Sequence, residues 1–319
     1  MSAKHLWLIL ASLAAGAWAV AANAQSTVHL YIYDTHTGVV TQATGPMERD
    51  TYNASFSNNG KKLVHDLTDT VGPEYELQLL GVTDLAKGTT TSLGLVGDDA
   101  VWSPNGQYIA YHNWDDFFRS GWDPNVPIVL NIVPATGGTP VTVRTWGVQA
   151  SWSNNSRRLA FVDTNNSYIG TVGLDGTETK FDFDTLGSYD GYGCNPAYSP
   201  DGKLIVYQRY ECYFGVPGPL MAIPVNEKGQ ALGAPYPITP TSAAYYASHP
   251  SFSNDGKTIV FSRLVVTDPA AGPDPAEAGL YTVSVYGGDP VVLFDRPGKG
   301  EWDPAYSKNG RYVVFSGPE

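Results

Sequence analysis

Six polar residues stand at one repeated position in this sequence. Asn53, Asp99, Gln149, Asn195, His249 and Asp303 each lie three residues ahead of an aromatic, and each aromatic opens the same short motif. All six side chains can accept hydrogen bonds, two are carboxylates, and one is an imidazole that titrates near neutrality. The residue two places on is always small or short: Ser55, Val101, Ser151, Ala197, Ser251 and Ala305. Brought together, the six would form a polar ring. A divalent cation such as Ca²⁺ would use Asp99 and Asp303 as anionic metal ligands, with Asn and Gln carbonyls completing an oxygen shell. A water cluster or an inserted peptide or sugar group would suit the same ring. The plainer reading is that these side chains cap backbone amides at the start of their own strands.

The elements that must position them are legible in the motif. Aromatic, serine, two turn formers and usually glycine recur at 56–60, 102–106, 152–156, 198–202, 252–256 and 306–310. An apolar strand with a closing aromatic follows, as in Thr258-Ile259-Val260-Phe261. Successive copies are 46, 50, 46, 54 and 54 residues apart. That period fits a four-stranded propeller blade and is too long for a parallel β-helix or a leucine-rich solenoid. Two further strands complete each cycle, joined by turns such as Thr136-Gly137-Gly138 and Tyr286-Gly287-Gly288. The chain begins with third- and fourth-type strands and ends with first- and second-type strands. Joined, they make one blade, so the expected fold is all-β: a six-bladed β-propeller closed by pairing of the two ends. Ser156 replaces the turn glycine in the third copy, which predicts strain or a different turn there.

Composition agrees, with 34 Gly, 23 Pro and abundant Tyr, Trp, Thr and Val pointing to strands and turns. Residues 1–24 read as a secretory signal peptide: Lys4, an apolar run from Leu6 to Val20, then Ala22-Asn23-Ala24 before a cut ahead of Gln25. Residues 25–319 form the single propeller domain. The protein is expected to be periplasmic or secreted, without membrane insertion after cleavage, and monomeric. A formal charge of −12 excludes ordinary nucleic-acid binding, which needs cations to displace counterions from phosphates. Cys194 and Cys212 flank the fourth hairpin across its open end, as a structural disulfide would. The long loops 112–127 and 208–219 carry Trp114, Trp122 and Tyr210, which could offer an aromatic binding rim or pack on one another as a satellite core.

The stretch Pro196-Ala-Tyr-Ser-Pro-Asp-Gly-Lys203 resembles the TolB-type propeller repeat, as do the copies at 102–106, 250–257 and 304–311. The resemblance implies a six-bladed propeller and a bacterial cell-envelope setting. The repeat fills the chain after the leader and leaves no place for the N-terminal α/β domain that TolB carries. Of the catalytic signatures, neither G-x-S-x-G, H-E-x-x-H nor a P-loop is present. The expected function is non-catalytic binding of a protein or glycan partner. The enzymatic alternative is a polysaccharide lyase or hydrolase, with His249 or His112 as base and Tyr246, Tyr210 or Arg209 as its partner.

Overall fold

A computed structural model of the chain describes residues 27–45, 50–70, 76–121, 123–165, 168–181, 193–209, 218–241, 245–265 and 277–319. The expected leader at 1–24, Trp122, Tyr210 and Cys212 lie outside the described residues.

The hairpin chemistry builds the same unit six times. In each turn the motif serine takes the Asx two residues on as a hydrogen-bond partner, and that Asx accepts a turn amide in the four copies at 57, 103, 153 and 307 and again at 199 and 253. Glycine follows at φ 68–73° in five copies, a left-handed conformation that a Cβ disfavours. Ser156 adopts the same turn at φ 56°. Its hydroxyl accepts the Asn105 amide of the neighbouring turn at 3.0 Å, an inter-blade bond that glycine could not make. The strain expected there is present; a different turn is not.

Strands β1 (Val28–Asp34) and β2 (Val40–Gln42) come first. Blade 1 is β3 (Thr51–Phe56), β4 (Lys62–Thr70), β5 (Glu76–Asp84) and β6 (Thr89–Val96). Blade 2 is β7 (Asp98–Trp102), β8 (Tyr108–Asn113), β9 (Val129–Pro134) and β10 (Val141–Thr145). Blade 3 is β11 (Gly147–Trp152), β12 (Arg158–Asp163), β13 (Tyr168–Gly173) and β14 (Glu178–Lys180). Blade 4 is β15 (Gly193–Tyr198), β16 (Leu204–Arg209), β17 (Leu220–Pro224) and β18 (Tyr236–Pro237). Blade 5 is β19 (Tyr245–Phe252), β20 (Thr258–Val265), β21 (Ala278–Ser284) and β22 (Val291–Phe294). Blade 6 joins β23 (Trp302–Tyr306) and β24 (Tyr312–Pro318) to β1 and β2.

Every blade is a four-stranded antiparallel sheet. The innermost strands β3, β7, β11, β15, β19 and β23 pack side by side around a ring. The expected six-bladed, all-β propeller is therefore the observed fold. Closure rests on seven residue pairs, from Val28 opposite Pro318 to Asp34 opposite Tyr312. Arg311 reinforces it with two donors to Asp34 Oδ2, at 2.6 and 3.0 Å, which hold the Asp34 carboxyl down at about 2.

Blades adhere through apolar layers, such as Val64, Leu80, Ala100, Ile109 and Tyr111 between blades 1 and 2. The motif aromatics Phe56, Trp152, Tyr198 and Phe252 are buried, each contributing about 2 kcal/mol by area removed from water. The short residue after the ring position has a job at alternate junctions. Ser55, Ser151 and Ser251 accept the aromatic's backbone amide from the next blade, at 3.1, 3.0 and 3.1 Å. No helix among the described residues is long and apolar enough to cross a membrane. One short helix, α1 (Asp115–Arg119), lies between β8 and β9.

Candidate functional site

The six ring residues share a backbone conformation that their sequence position did not reveal. Asn53, Asp99, Gln149, Asn195, His249 and Asp303 all have φ between 49 and 54°. Each sits in a β-bulge, where the register between first and second strands slips, for example between Ser248 and Ser251 opposite β20. A left-handed non-glycine residue costs about 1 kcal/mol or more, less for Asn and Asp. Glycine would remove that strain, yet none of the six is glycine in a chain that has 34. Five of the six are Asn, Asp or His, the non-glycine residues that tolerate this conformation best, and Gln149 alone runs against it.

They converge on the central tunnel, a cavity of about 430 Å³. All six line it, with the motif aromatics further along and the turn residues Asn58, Asn154, Asn254 and Lys308 at the far end. There Lys308 Nζ donates to the Pro104 carbonyl at 3.0 Å.

Capping accounts for part of the ring. Gln149 Oε1 accepts the Asn195 amide of the next blade at 3.0 Å. At two other junctions that task falls to a second-strand residue. Asp66 Oδ2 accepts the Asp99 amide at 3.2 Å, and Ser262 Oγ accepts the Asp303 amide at 3.1 Å. The Asp99 and Asp303 carboxylates are thus not the caps of the bulge. His249 Nε2 lies 3.2 Å from Asp303 Oδ1, with the imidazole about a third exposed.

The second-strand residues form a tier behind the ring, of which the sequence reading named His112, as a candidate base, and Gln208 only as the start of a loop. Asp66, His112, Val162, Gln208, Ser262 and Ser316 each pair with the residue just before a ring position or bound the same bulge. Each directly follows the strand's closing aromatic, except that His65 takes the aromatic's place in blade 1. A polar residue in the middle of a buried strand was the available signal.

Between blades 1 and 2 this tier is strongly charged. Asp66 is fully buried; its Oδ2 also accepts Asn53 Nδ2 at 2.8 Å, while Oδ1 has no partner. Burial, then the nearby Asp98 and Asp99, push its carboxyl well above the usual range. Asp99 is raised to about 6, chiefly by burial, against the pull of His112 and His249. His112, also fully buried, has Nε2 2.7 Å from Asp98 Oδ1 and Nδ1 3.8 Å from Asp99 Oδ2. Burial alone would lower the His112 pKa, but the two carboxylates outweigh it and the net shift is upward. His65 differs: burial drops it to about 4, and its ring nitrogens bond the Asp66 carbonyl and Thr83 Oγ1.

The expected metal ligands Asp99 and Asp303 belong to this ring. Among the described residues no group of three or more His, Cys, Asp or Glu is placed to hold a metal ion. Asp303 already faces His249, and Asp99 faces His112.

Of the rim aromatics, Trp114 takes the packed alternative rather than an open rim position. It is 5% exposed, its indole N–H donates to Asp98 Oδ1 at 2.8 Å, and it packs with Phe117 of α1 and Val148. Helix α1 is capped by Asn113 Oδ1, and its Asp115–Arg119 pair closes at 2.7 Å. The loop folds inward because its apolar residues reach the gap between blades 2 and 3. Trp122 and Tyr210 fall outside the described residues, as does Cys212; Cys194 is buried in β15.

No protein-family model and no curated protein sequence matches the chain. Solved structures do. A structure described as a TolB of Agrobacterium tumefaciens superposes with TM-score 0.69 at 19% identity, over 92% of this chain and 99% of the other. The fold is TolB-like. TolB from Acinetobacter baumannii matches at TM-score 0.52 and 12% identity, covering 92% of this chain but 64% of that one. An oligogalacturonate lyase from Vibrio parahaemolyticus is equally similar, at TM-score 0.53 and 12% identity over 90% and 78%. At such identities only the fold is shared, and structures named TolB and a lyase both carry it, so function must be argued from the site.

Proposed function

We propose that the protein is an exported, monomeric, non-catalytic propeller of the bacterial cell envelope whose acidic tunnel mouth receives a segment of a protein partner. The observation that carries this reading is the ring itself: six side chains held in left-handed backbone around one cavity, where glycine would be easier. Asp99 and Asp303 give the mouth its negative character, suited to a Lys or Arg side chain or an amino terminus. A protein segment is favoured over a glycan because sugar rings dock on exposed aromatic faces, and Trp114 is packed inside. The TolB-like fold supports an envelope setting, and export supports a Cys194–Cys212 disulfide. The disulfide is checked by intact mass after alkylation without reductant. A divalent cation at Asp99 and Asp303 is the variant of this proposal that calorimetric titration with Ca²⁺ tests.

The test of the main reading is capture from envelope extract by wild type and by the Asp99→Ala/Asp303→Ala double variant. Specific partner recovery should be lost in the variant. Unchanged recovery would sink the proposal.

One observation favours a second reading. His249 against Asp303 is an imidazole oriented by a carboxylate, the arrangement of a general base, and a lyase is among the similar folds. Absorbance near the unsaturated-sugar band on polyuronates, abolished by His249→Ala, would establish it. No absorbance change with or without added Ca²⁺ or Mn²⁺ would remove it.

A further inference from the structure

Arginines in this acidic chain are mostly spoken for. Arg144, Arg296 and Arg311 each meet a carboxylate within 3.0 Å, and Arg158 donates to the Lys228 and Thr177 carbonyls. Half-buried Arg263 differs: it forms no ion pair with any carboxylate among the described residues. Its guanidinium carbon lies over both the Tyr245 ring, at 4.2 Å, and the Tyr281 ring, at 4.9 Å. Its Nε is shut off from water with no hydrogen-bond partner. Asp295 borders Gly279, which stands opposite Arg263 in the β20–β21 ladder, yet makes no ion pair with it. Two tyrosine faces fix the plane of the cation and supply attraction without neutralising it. A guanidinium so held presents a rigid fork, the geometry that suits a carboxylate.

Its place matters. The preceding residue, Ser262, caps the Asp303 amide of the ring. Across the sheet Arg263 pairs with Ala247, two residues before His249. It therefore lies one strand out from the ring position and two residues along from it, on the sheet face that carries Tyr245, Ala247 and Tyr281. Strand spacing and rise put it roughly 8–9 Å from the ring position, about two or three residues of an extended chain.

We infer that Arg263, clamped by Tyr245 and Tyr281, binds a carboxylate side chain of the partner segment. This rests on the proposed peptide reading and deepens it: the segment pairs a basic group in the ring with an Asp or Glu two or three positions away. Charge pattern, rather than net charge, then selects the partner.

The test uses the full ¹⁵N-labelled protein and two small probes, the capped tripeptides acetyl-Gly-Glu-Gly-amide and acetyl-Gly-Gln-Gly-amide. The Arg263 Nε–Hε signal is identified by its loss in Arg263→Gln. It should shift saturably with the Glu peptide, with at least tenfold weaker response to the Gln peptide. The same titration on Asp99→Asn/Asp303→Asn should leave this shift in place, so failure of the ring proposal and failure of this one read differently. No saturable shift in wild type, or equal shifts with both peptides, overturns the inference.

Discussion

Two junctions of the ring solve one structural problem with different chemistry. Between blades 1 and 2, a buried carboxylate, Asp66, accepts the Asp99 amide at 3.2 Å; between blades 5 and 6, a serine hydroxyl, Ser262, accepts the Asp303 amide at 3.1 Å. The serine is enough to cap the bulge. The ionisable carboxyl of Asp66 is therefore surplus to the scaffold, and burying it is expensive: the group is fully buried, one oxygen has no partner, and Asp98 and Asp99 crowd it. The difference teaches that the propeller needs an acceptor at this position, whereas the acidic character of blades 1 and 2 needs another explanation. We place that explanation in ligand binding.

The largest expected effect breaks this contrast at its costly end. Asp66→Asn keeps an oxygen for Asn53 and for the Asp99 amide while removing the ionisable carboxyl. At pH 7 it should stabilise the fold by on the order of 1–3 kcal/mol, read by urea denaturation. The pH dependence has a definite sign. Asp66 and Asp99 have folded values above their unfolded ones, so their contribution is fully present below about pH 4 and is lost as pH rises through the folded values, near 6 for Asp99. His65, at about 4 against 6.5, opposes this, losing stability as pH falls from 6.5 toward 4. In Asp66→Asn the loss on raising pH from 5 to 7 should shrink; an unchanged profile would show that Asp66 carries no cost.

A smaller effect tests the alternate serine ties. Ser251→Ala removes the acceptor of the Tyr306 amide and should cost about 1 kcal/mol in the same assay. Introducing a hydroxyl at the opposite phase, Ala305→Ser, should gain nothing comparable, because the serine ties recur at odd blades only. The smallest effect belongs to Ser156→Gly. Relief of its φ of 56° and loss of the Asn105 bond oppose each other, so the net change should stay within about 0.5 kcal/mol. A large loss would mean that the inter-blade bond dominates.

The blades were legible because each hairpin repeats the same local chemistry, from the Ser253–Asp255 turn to the closing Phe261, and closure followed from unmatched ends. The ring was legible as an aligned column of polar residues. Its left-handed backbone was not, since Gln149 carries no local preference for it and only the bulge imposes it. The tier positions Asp66 and Ser262 escaped, and His112 was seen only as a candidate base, because strand polarity gains meaning only once the neighbouring blade's amide is known. Trp114 shows the same limit. Whether a loop aromatic faces solvent or the gap beside Val148 is settled by tertiary packing, not by its sequence neighbours.

The central claim is that the ring side chains are retained for a ligand and not for the fold. Partner recovery from envelope extract by the Asp99→Gly/Asp303→Gly variant, with its melting temperature as the internal control, tests this directly. The account predicts a melting temperature at or above wild type and loss of the partner. A clearly lowered melting temperature, or a partner recovered as well as by wild type, would contradict it.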